Sequence, residues 1–441
     1  MKWAVLRASL GLLGVELRDL YRVYRRRVQL LLLLVLLKRV WRPYLLRHVL
    51  RLHYLLAAER PQLHFQSTPE NERVLARCPT MTQDKYYPPW YLFNGHLQTV
   101  RLSREEDDSH PVVKYERQTL DMPDGGIISL DWALPPRPDC TIPRVSELDP
   151  TVPTMLLLPG LTGNSGEFYI RSVVHRMVYD LGWQCAVLNA RGCGNTPLKT
   201  PQLFCSAYTD DLRHVVQFFA ERYAFQRHTF VVVGFSMGSN VLVKYLGEEK
   251  EHANITAGVS VGNPFDLVDC SRSLRNSTLY RHTYDKALTN NLKELFFRKS
   301  NIHEVLKTHP KIDIAAMPQL DSVWDFDENI TSRLFNYEGG ALHYYTDASS
   351  GSRIKHVRVP LLCLNAKDDP ISTERSIPYA DAATNANVIL CVTKKGGHLA
   401  FYESIQDAED AMRPEQSWSA RVIVEYAESV RLARQEELSH V

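Results

Sequence analysis

Thr229-Phe-Val-Val-Val-Gly-Phe-Ser-Met-Gly-Ser-Asn-Val-Leu-Val-Lys-Tyr-Leu-Gly247 reads as a buried strand, a tight turn and a helix. The strand, Thr229 to Val233, is aromatic and β-branched, and the helical part from Asn240 carries apolar residues at helical spacing. Between them stands Gly234-Phe-Ser-Met-Gly238. In so sharp a turn, side chains flanking the serine would collide, and the hydroxyl is lifted above the sheet at a helix N-terminus. A plain glycine turn needs neither flank. With both in place, Ser236 is the candidate nucleophile.

Outward from this turn, short apolar runs alternate with helical stretches, the rhythm of βαβ units around a mostly parallel sheet. Strands are expected at Thr154–Leu158, Cys185–Asn189, Thr229–Val233, Ala257–Val261, Leu361–Asn365 and Val388–Val392. Several are apolar throughout, as strands buried on both faces should be. Helices are expected at Tyr169–Leu181, Ser206–Tyr223 and Asn240–Glu249. Between Asn263 and Tyr345 the strand rhythm stops and polar, aromatic and helical sequence takes over. This reads as a lid inserted over the sheet's carboxyl edge, shaping an apolar substrate site.

A serine hydroxyl needs a base to take its proton, and the base needs a carboxylate to hold its tautomer. In a sheet with this elbow the chain order is serine, acid, histidine. Of 16 histidines, His398 alone follows a late strand through Gly396-Gly397. The expected strand from Val359 ends in Lys367-Asp-Asp-Pro370, with two adjacent carboxylates. Consecutive side chains point apart, so one of the two faces His398. Asp369, immediately before the proline, is favoured, and Asp368 is the alternative. The oxyanion of the tetrahedral intermediate needs two backbone donors, and the amides of Met237 and of Leu161, in Pro159-Gly-Leu-Thr-Gly163, are the candidates. That loop lacks the spacing of a phosphate-binding P-loop. His175 and Asp180, spaced as H-x-x-x-x-D, read as a solvated helix face.

Residues 1–60 carry 13 Lys and Arg against Glu16, Asp19 and Glu59, interleaved with leucine. The longest charge-free run, Val28 to Leu37, is 10 residues, about 15 Å of helix against roughly 30 Å of hydrocarbon. A helix lying in the headgroup region fits better than one that spans. A net charge of +2 gives no reason to invoke nucleic acid. The 8 cysteines form no C-x-x-C pair and no Cys/His cluster at zinc spacing, so no metal or cofactor is expected, and the thiols read as free in a reducing compartment. Four parts are therefore expected. Residues 1–60 form a membrane-associating segment and 61–114 an extension packing on the core; 115–410 form the catalytic domain, with its lid at about 263–345, and 411–441 a C-terminal helix or tail.

From about residue 85 to 405 the chain resembles the membrane-associated α/β-hydrolase-domain lipases and esterases grouped as AB hydrolase family 4. The resemblance rests on Tyr86-Tyr-Pro-Pro-Trp-Tyr-Leu-Phe-Asn-Gly-His-Leu-Gln-Thr99, Asp124-Gly125, Leu130-Asp-Trp132, Pro159-Gly-Leu-Thr-Gly163 and Leu188-Asn-Ala-Arg-Gly-Cys-Gly194. The serine elbow, Asn263-Pro-Phe-Asp266, Tyr344-Tyr345, Asp368-Asp-Pro370 and Gly397-His398 continue it. It implies an α/β-hydrolase fold, a triad on Ser236, one of the paired aspartates and His398, and cofactor-free hydrolysis of lipid esters at a membrane surface. The substrates implied are monoacylglycerols, medium-chain phospholipids and small acyl esters. Some fungal relatives pass the acyl group to an alcohol, and the same acyl-enzyme serves both outcomes. An endomembrane location, the endoplasmic reticulum first, is expected, with the catalytic body in the cytosol.

Overall fold

Runs such as Thr154-Met-Leu-Leu-Leu158 and Phe230-Val-Val-Val-Gly-Phe235 contain no polar face, so a strand made of them must be covered on both sides. In the computed structural model, which describes residues 57–105, 111–137, 143–404 and 416–439 and scattered positions between 21 and 55, they are. Nine strands form one sheet: β1 (Gln62–Phe65), β2 (Glu116–Asp121), β3 (Ile127–Ala133), β4 (Thr154–Leu158), β5 (Gln184–Asn189), β6 (Phe230–Phe235), β7 (Ala257–Val261), β8 (Leu361–Ala366) and β9 (Val388–Thr393). Their order is β1-β9-β8-β7-β6-β4-β5-β3-β2. The strands from β4 to β9 run parallel. The edge strands β1 and β2, and β3, run antiparallel to their neighbours. A separate antiparallel pair joins β10 (Tyr402–Glu403) to β11 (Gln416–Ser417).

The strand period of two sorts the buried side chains. Met155, Leu157, Val231 and Val233 enter one apolar layer, while Leu156, Leu158 and Val232 enter the other. Each layer is closed by helices, and each fully buried Leu or Val contributes about 2 kcal/mol. The helices used below are α1 (Gly95–Leu102), α2 (Phe168–His175), α3 (Asp210–Arg222), α4 (Met237–Glu249) and α5 (Trp418–Ser439). Ile170 and Val173 of α2 and Trp418, Ile423 and Tyr426 of α5 cover the first layer. Leu212, Val215 and Phe219 of α3 and Leu242 and Leu246 of α4 cover the second. This is the mostly parallel, helix-flanked sheet expected of an α/β-hydrolase fold.

Every expected strand is present to within a residue or two. The expected helix at Ser206 begins instead at Asp210, because the Ser206 amide donates to the Tyr344 hydroxyl at 2.9 Å and is held out of the helix. α2 continues from His175 through a wider turn to Asp180. Between β7 and β8 the chain forms a layer of short helices, among them Leu267–Asn276, Lys286–Glu294, Val323–Phe326 and Gly340–Ala348. Leu292, Phe296, Ile302, Met317 and Phe326 of this layer form an apolar cluster with Cys193, Leu198 and Leu203 of the segment after β5.

Within residues 61–114, β1 joins the sheet at its edge against β9, pairing Gln62 with Val392. The compact unit runs over Glu59–Ser404 and Pro414–Val441, with α5 as one wall of its core. A four-residue strand and a polar edge strand, Glu116-Arg-Gln-Thr-Leu-Asp121, carry too little apolar alternation to be read from sequence. A second unit, Met1–Ala58 with Ile405–Arg413, lies mostly outside the described residues. Its described positions between 21 and 38 are helical, with Leu30 to Leu33 exposed. Among the described residues no helix is long and apolar enough to cross a membrane.

Candidate active site

The sheet places the loops after β4 and β6 side by side, at the point where the chain turns from one half of the sheet to the other. Ligands bind at such a switch point in open α/β sheets. Ser236 sits there with φ of 51°, in the left-handed region, between the last residue of β6 and the first of α4. A Cβ on Gly234 would lie 2.4 Å from the Gly238 carbonyl oxygen, and one on Gly238 would lie 2.4 Å from that of Leu158. Both positions therefore require glycine.

The histidine comes from the loop after β9. His398 Nε2 is 2.8 Å from Ser236 Oγ, and Nδ1 is 2.9 Å from Asp369 Oδ2. An ionised carboxylate only accepts, so the ring proton sits on Nδ1 and Nε2 is left to take the serine proton. Asp369 Oδ1 accepts from the amides of Ile371 and Ser372 at 2.8 and 2.9 Å, which fixes the carboxylate plane.

Asp368 turns away from the histidine. Its Oδ1 accepts from the Gly397 amide at 3.0 Å, and the Gly95 amide also donates to its carboxylate. Burial pushes this carboxyl up against the pull of those two donors. The His398 amide donates to Thr99 Oγ1 at 2.9 Å, and the Tyr402 amide to Gln98 Oε1 at 3.1 Å. The Tyr86 hydroxyl, with one proton to donate, lies within hydrogen-bond reach of both Gln98 Oε1 at 3.1 Å and the Tyr402 carbonyl at 3.0 Å. The string Tyr86 to Thr99 is thus the buttress of the histidine loop. Its residues were legible as a motif, but their work depends on a contact across some 300 positions of chain, for which periodicity carries no signal.

Gly160 to Gly163 closes a tight turn, the Gly163 amide donating to the Gly160 carbonyl at 3.0 Å, with Thr162 at φ of 61°. The Gly160 amide is occupied by the Tyr169 hydroxyl at 3.1 Å. The amide of Leu161 meets no acceptor among the described residues. Met237 opens α4, where first-turn amides have no partner within the helix. Leu161 and Met237 line the same cavity as Ser236 and His398. Tyr169, 4.9 Å from the Phe235 ring, ties the two loops together, a role its place at a helix start did not announce.

That cavity, of about 130 Å³, lies between the sheet edge and the helical layer. Leu203, Phe204, Leu267, Leu288, Phe296, Trp324 and Phe335 make most of its wall apolar. Arg275, Asp285 and Asp327 add charge on the lid side. Burial pushes Asp327 up to about 6, although the Thr331 and Tyr345 hydroxyls donate to it. His175 lies on the last turn of α2, its ring 5.0 Å from that of Tyr179, away from the cavity. Cys140 lies outside the described residues, and the other seven cysteines are free and buried. Among the described residues no group of His, Cys, Asp and Glu is placed to hold a metal.

Chemically, a nucleophile, a base with its proton relay and two amides beside an apolar cavity equip the site for acyl transfer. The sequence profile described as alpha/beta hydrolase fold matches residues 153–405. The chain is 34% identical to the embryogenesis-associated protein EMB8 of Picea glauca, over 84% of this chain and 79% of that one. It is 34% identical to phospholipase ABHD3 of Homo sapiens, over 79% and 81%. To a monoacylglycerol lipase of Saccharomyces cerevisiae it is 30% identical, over 71% and 75%.

Proposed function

The chain belongs to the alpha/beta hydrolase family, and from that premise we propose that it hydrolyses carboxylic esters of lipids through an acyl-serine intermediate. Ser236 Oγ attacks the ester carbonyl carbon as His398 Nε2 takes its proton, and Asp369 holds the imidazolium. The amides of Leu161 and Met237 receive the oxyanion. Collapse expels the alcohol, which leaves with the proton from His398. Water then enters along the same path, giving up a proton to His398 as it attacks the acyl-serine, and the fatty acid departs as His398 returns that proton to Ser236 Oγ. One observation carries this reading: the unbroken relay Ser236–His398–Asp369, at 2.8 and 2.9 Å, opening on an apolar cavity. The names of the relatives, a phospholipase and a monoacylglycerol lipase, support lipid esters as the substrates. A fluorophosphonate probe should label the wild-type chain and leave Ser236→Ala unlabelled; labelling of both would overturn the assignment. A panel of acylglycerols, phospholipids and soluble acyl esters then ranks the substrates.

The finer assignment, to the membrane-associated family 4, is supported by the motifs gathered around the triad. Membrane contact is supported by the basic, leucine-rich first 60 residues. On the catalytic body, Trp90, Tyr91, Phe93, Leu97 and Val100 are exposed, residue types suited to a lipid interface. Free buried thiols fit a cytosolic body on an endomembrane. A chain lacking residues 1–56 should sediment less with liposomes, while undiminished sedimentation would move the anchor elsewhere. Protease added to intact microsomes should digest the catalytic body; full protection would reverse the topology.

A further inference from the structure

Among the described residues, Asp285 is the one buried lid carboxylate with an oxygen that has no hydrogen-bond partner. It is 1% exposed and lines the cavity that holds Ser236 and His398. Its Oδ1 accepts from the Val323 amide at 2.8 Å, while Oδ2 has no partner among the described residues. Asp327, on the same wall, has both oxygens occupied, by Thr331 and by Tyr345. A buried carboxylate oxygen left bare costs free energy that a donor would recover, and buried polar groups without partners are rare outside functional sites. Arg275 does not partner this buried oxygen: its guanidinium lies over the Trp324 ring, 3.8 Å from the centroid.

We infer that Asp285 is a specificity-determining residue whose Oδ2 accepts a hydrogen bond from a hydroxyl of the ester substrate. This rests on reading the cavity as the ester site. It adds that the enzyme distinguishes a hydroxyl-bearing ester from its plain counterpart. A hydroxyl fits because it satisfies the oxygen without bringing a second buried charge into an apolar wall. The hydroxyl has two sources in a lipid ester, the free positions of a polyol leaving group or a hydroxylated acyl chain. Both present the same donor.

Two pairs of esters separate the sources. A 1-monoacylglycerol is compared with the ethyl ester of the same acid, and the p-nitrophenyl ester of a hydroxylated acid with that of the plain acid. For the wild type, kcat/KM should favour the hydroxyl-bearing member of one pair by about 10- to 100-fold, the discrimination that one charge-assisted hydrogen bond supplies. Asp285→Asn keeps an acceptor for the Val323 amide but presents a donor where Oδ2 stood. It should reduce that preference to within about 3-fold. A purely structural role would slow both members of each pair alike and leave the ratio unchanged, which overturns the inference. Absence of preference in both wild-type pairs overturns it without any variant. Absence of Ser236-dependent turnover of every ester is a different result and removes the ester-hydrolase reading itself.

Discussion

Exchanging Asp369 for Asn, with Asp368→Asn as its partner experiment, separates two adjacent carboxylates by what each one touches. Asp369 Oδ1 already accepts from two amides, Ile371 and Ser372. In the Asn variant the amide oxygen must keep that place, because turning the group over would leave two buried N–H groups unmatched at about 1–3 kcal/mol each. The NH2 then faces His398 Nδ1, which can only accept from it. The ring proton moves to Nε2, against Ser236 Oγ, where the base is needed. In serine proteases the corresponding exchange costs about 10⁴ in kcat through the same tautomer error, close to 5.5 kcal/mol of transition-state stabilisation.

Asp368→Asn retains an oxygen for the Gly397 amide and leaves the contact between Asp369 and His398 in place. Its expected loss is below about 10-fold, near 1.4 kcal/mol. Steady-state hydrolysis of a soluble p-nitrophenyl ester, with fluorophosphonate labelling rates in parallel, should therefore separate the two variants by about 10³, with KM little moved. The reasoning is refuted if Asp368→Asn is as damaging as Asp369→Asn, or if Asp369→Asn keeps more than about a tenth of wild-type kcat.

Gly238→Ala puts a methyl group 2.4 Å from the Leu158 carbonyl oxygen, so α4 must withdraw from β4; labelling of Ser236 should fall sharply and stability by about 1–3 kcal/mol, and a normally labelled, normally melting variant would contradict the close approach. Thr99→Val leaves the buried His398 amide without its acceptor at roughly 1–3 kcal/mol; kcat should drop more than KM changes, and a variant with unaltered kcat would show the buttress to be dispensable. Asp327→Asn tests the raised carboxyl. A folded value above the ordinary aspartate value of about 4 means stability present at low pH and given up as pH rises from about 4 through 6. The variant should therefore gain over the parent by up to roughly 3 kcal/mol between pH 4 and pH 8 in thermal melts, and an equal difference at both pH values would sink the point.

How much of this was legible depends on the range over which each signal acts. The six parallel strands were, because burial on both faces writes itself into consecutive residues. So was Ser236, because the elbow's steric demands fall on Gly234 and Gly238, two positions away on either side. The two antiparallel edges were not, since an edge strand facing water needs little apolar alternation, and β2 has almost none. The choice between Asp368 and Asp369 turned on backbone donors in two different loops. Chain geometry alone made one of them face His398 without saying which.

The lid resisted reading for a further reason, which bears on substrate choice. Its helices are short, several of only three to five residues, and they pack on one another and on the segment after β5. Short helices of this kind carry no strong period, so their inward faces cannot be read from spacing. Yet those inward faces bring Arg275, Asp285 and Asp327 to a cavity whose other end holds a triad built on the sheet. The chemistry of bond cleavage is thus set by strand ends and tight turns, which tolerate few residues at each position. Recognition is set by the helical layer between β7 and β8, in which one side chain such as Asp285 changes what the cavity accepts while the relay at Ser236 stays as it is.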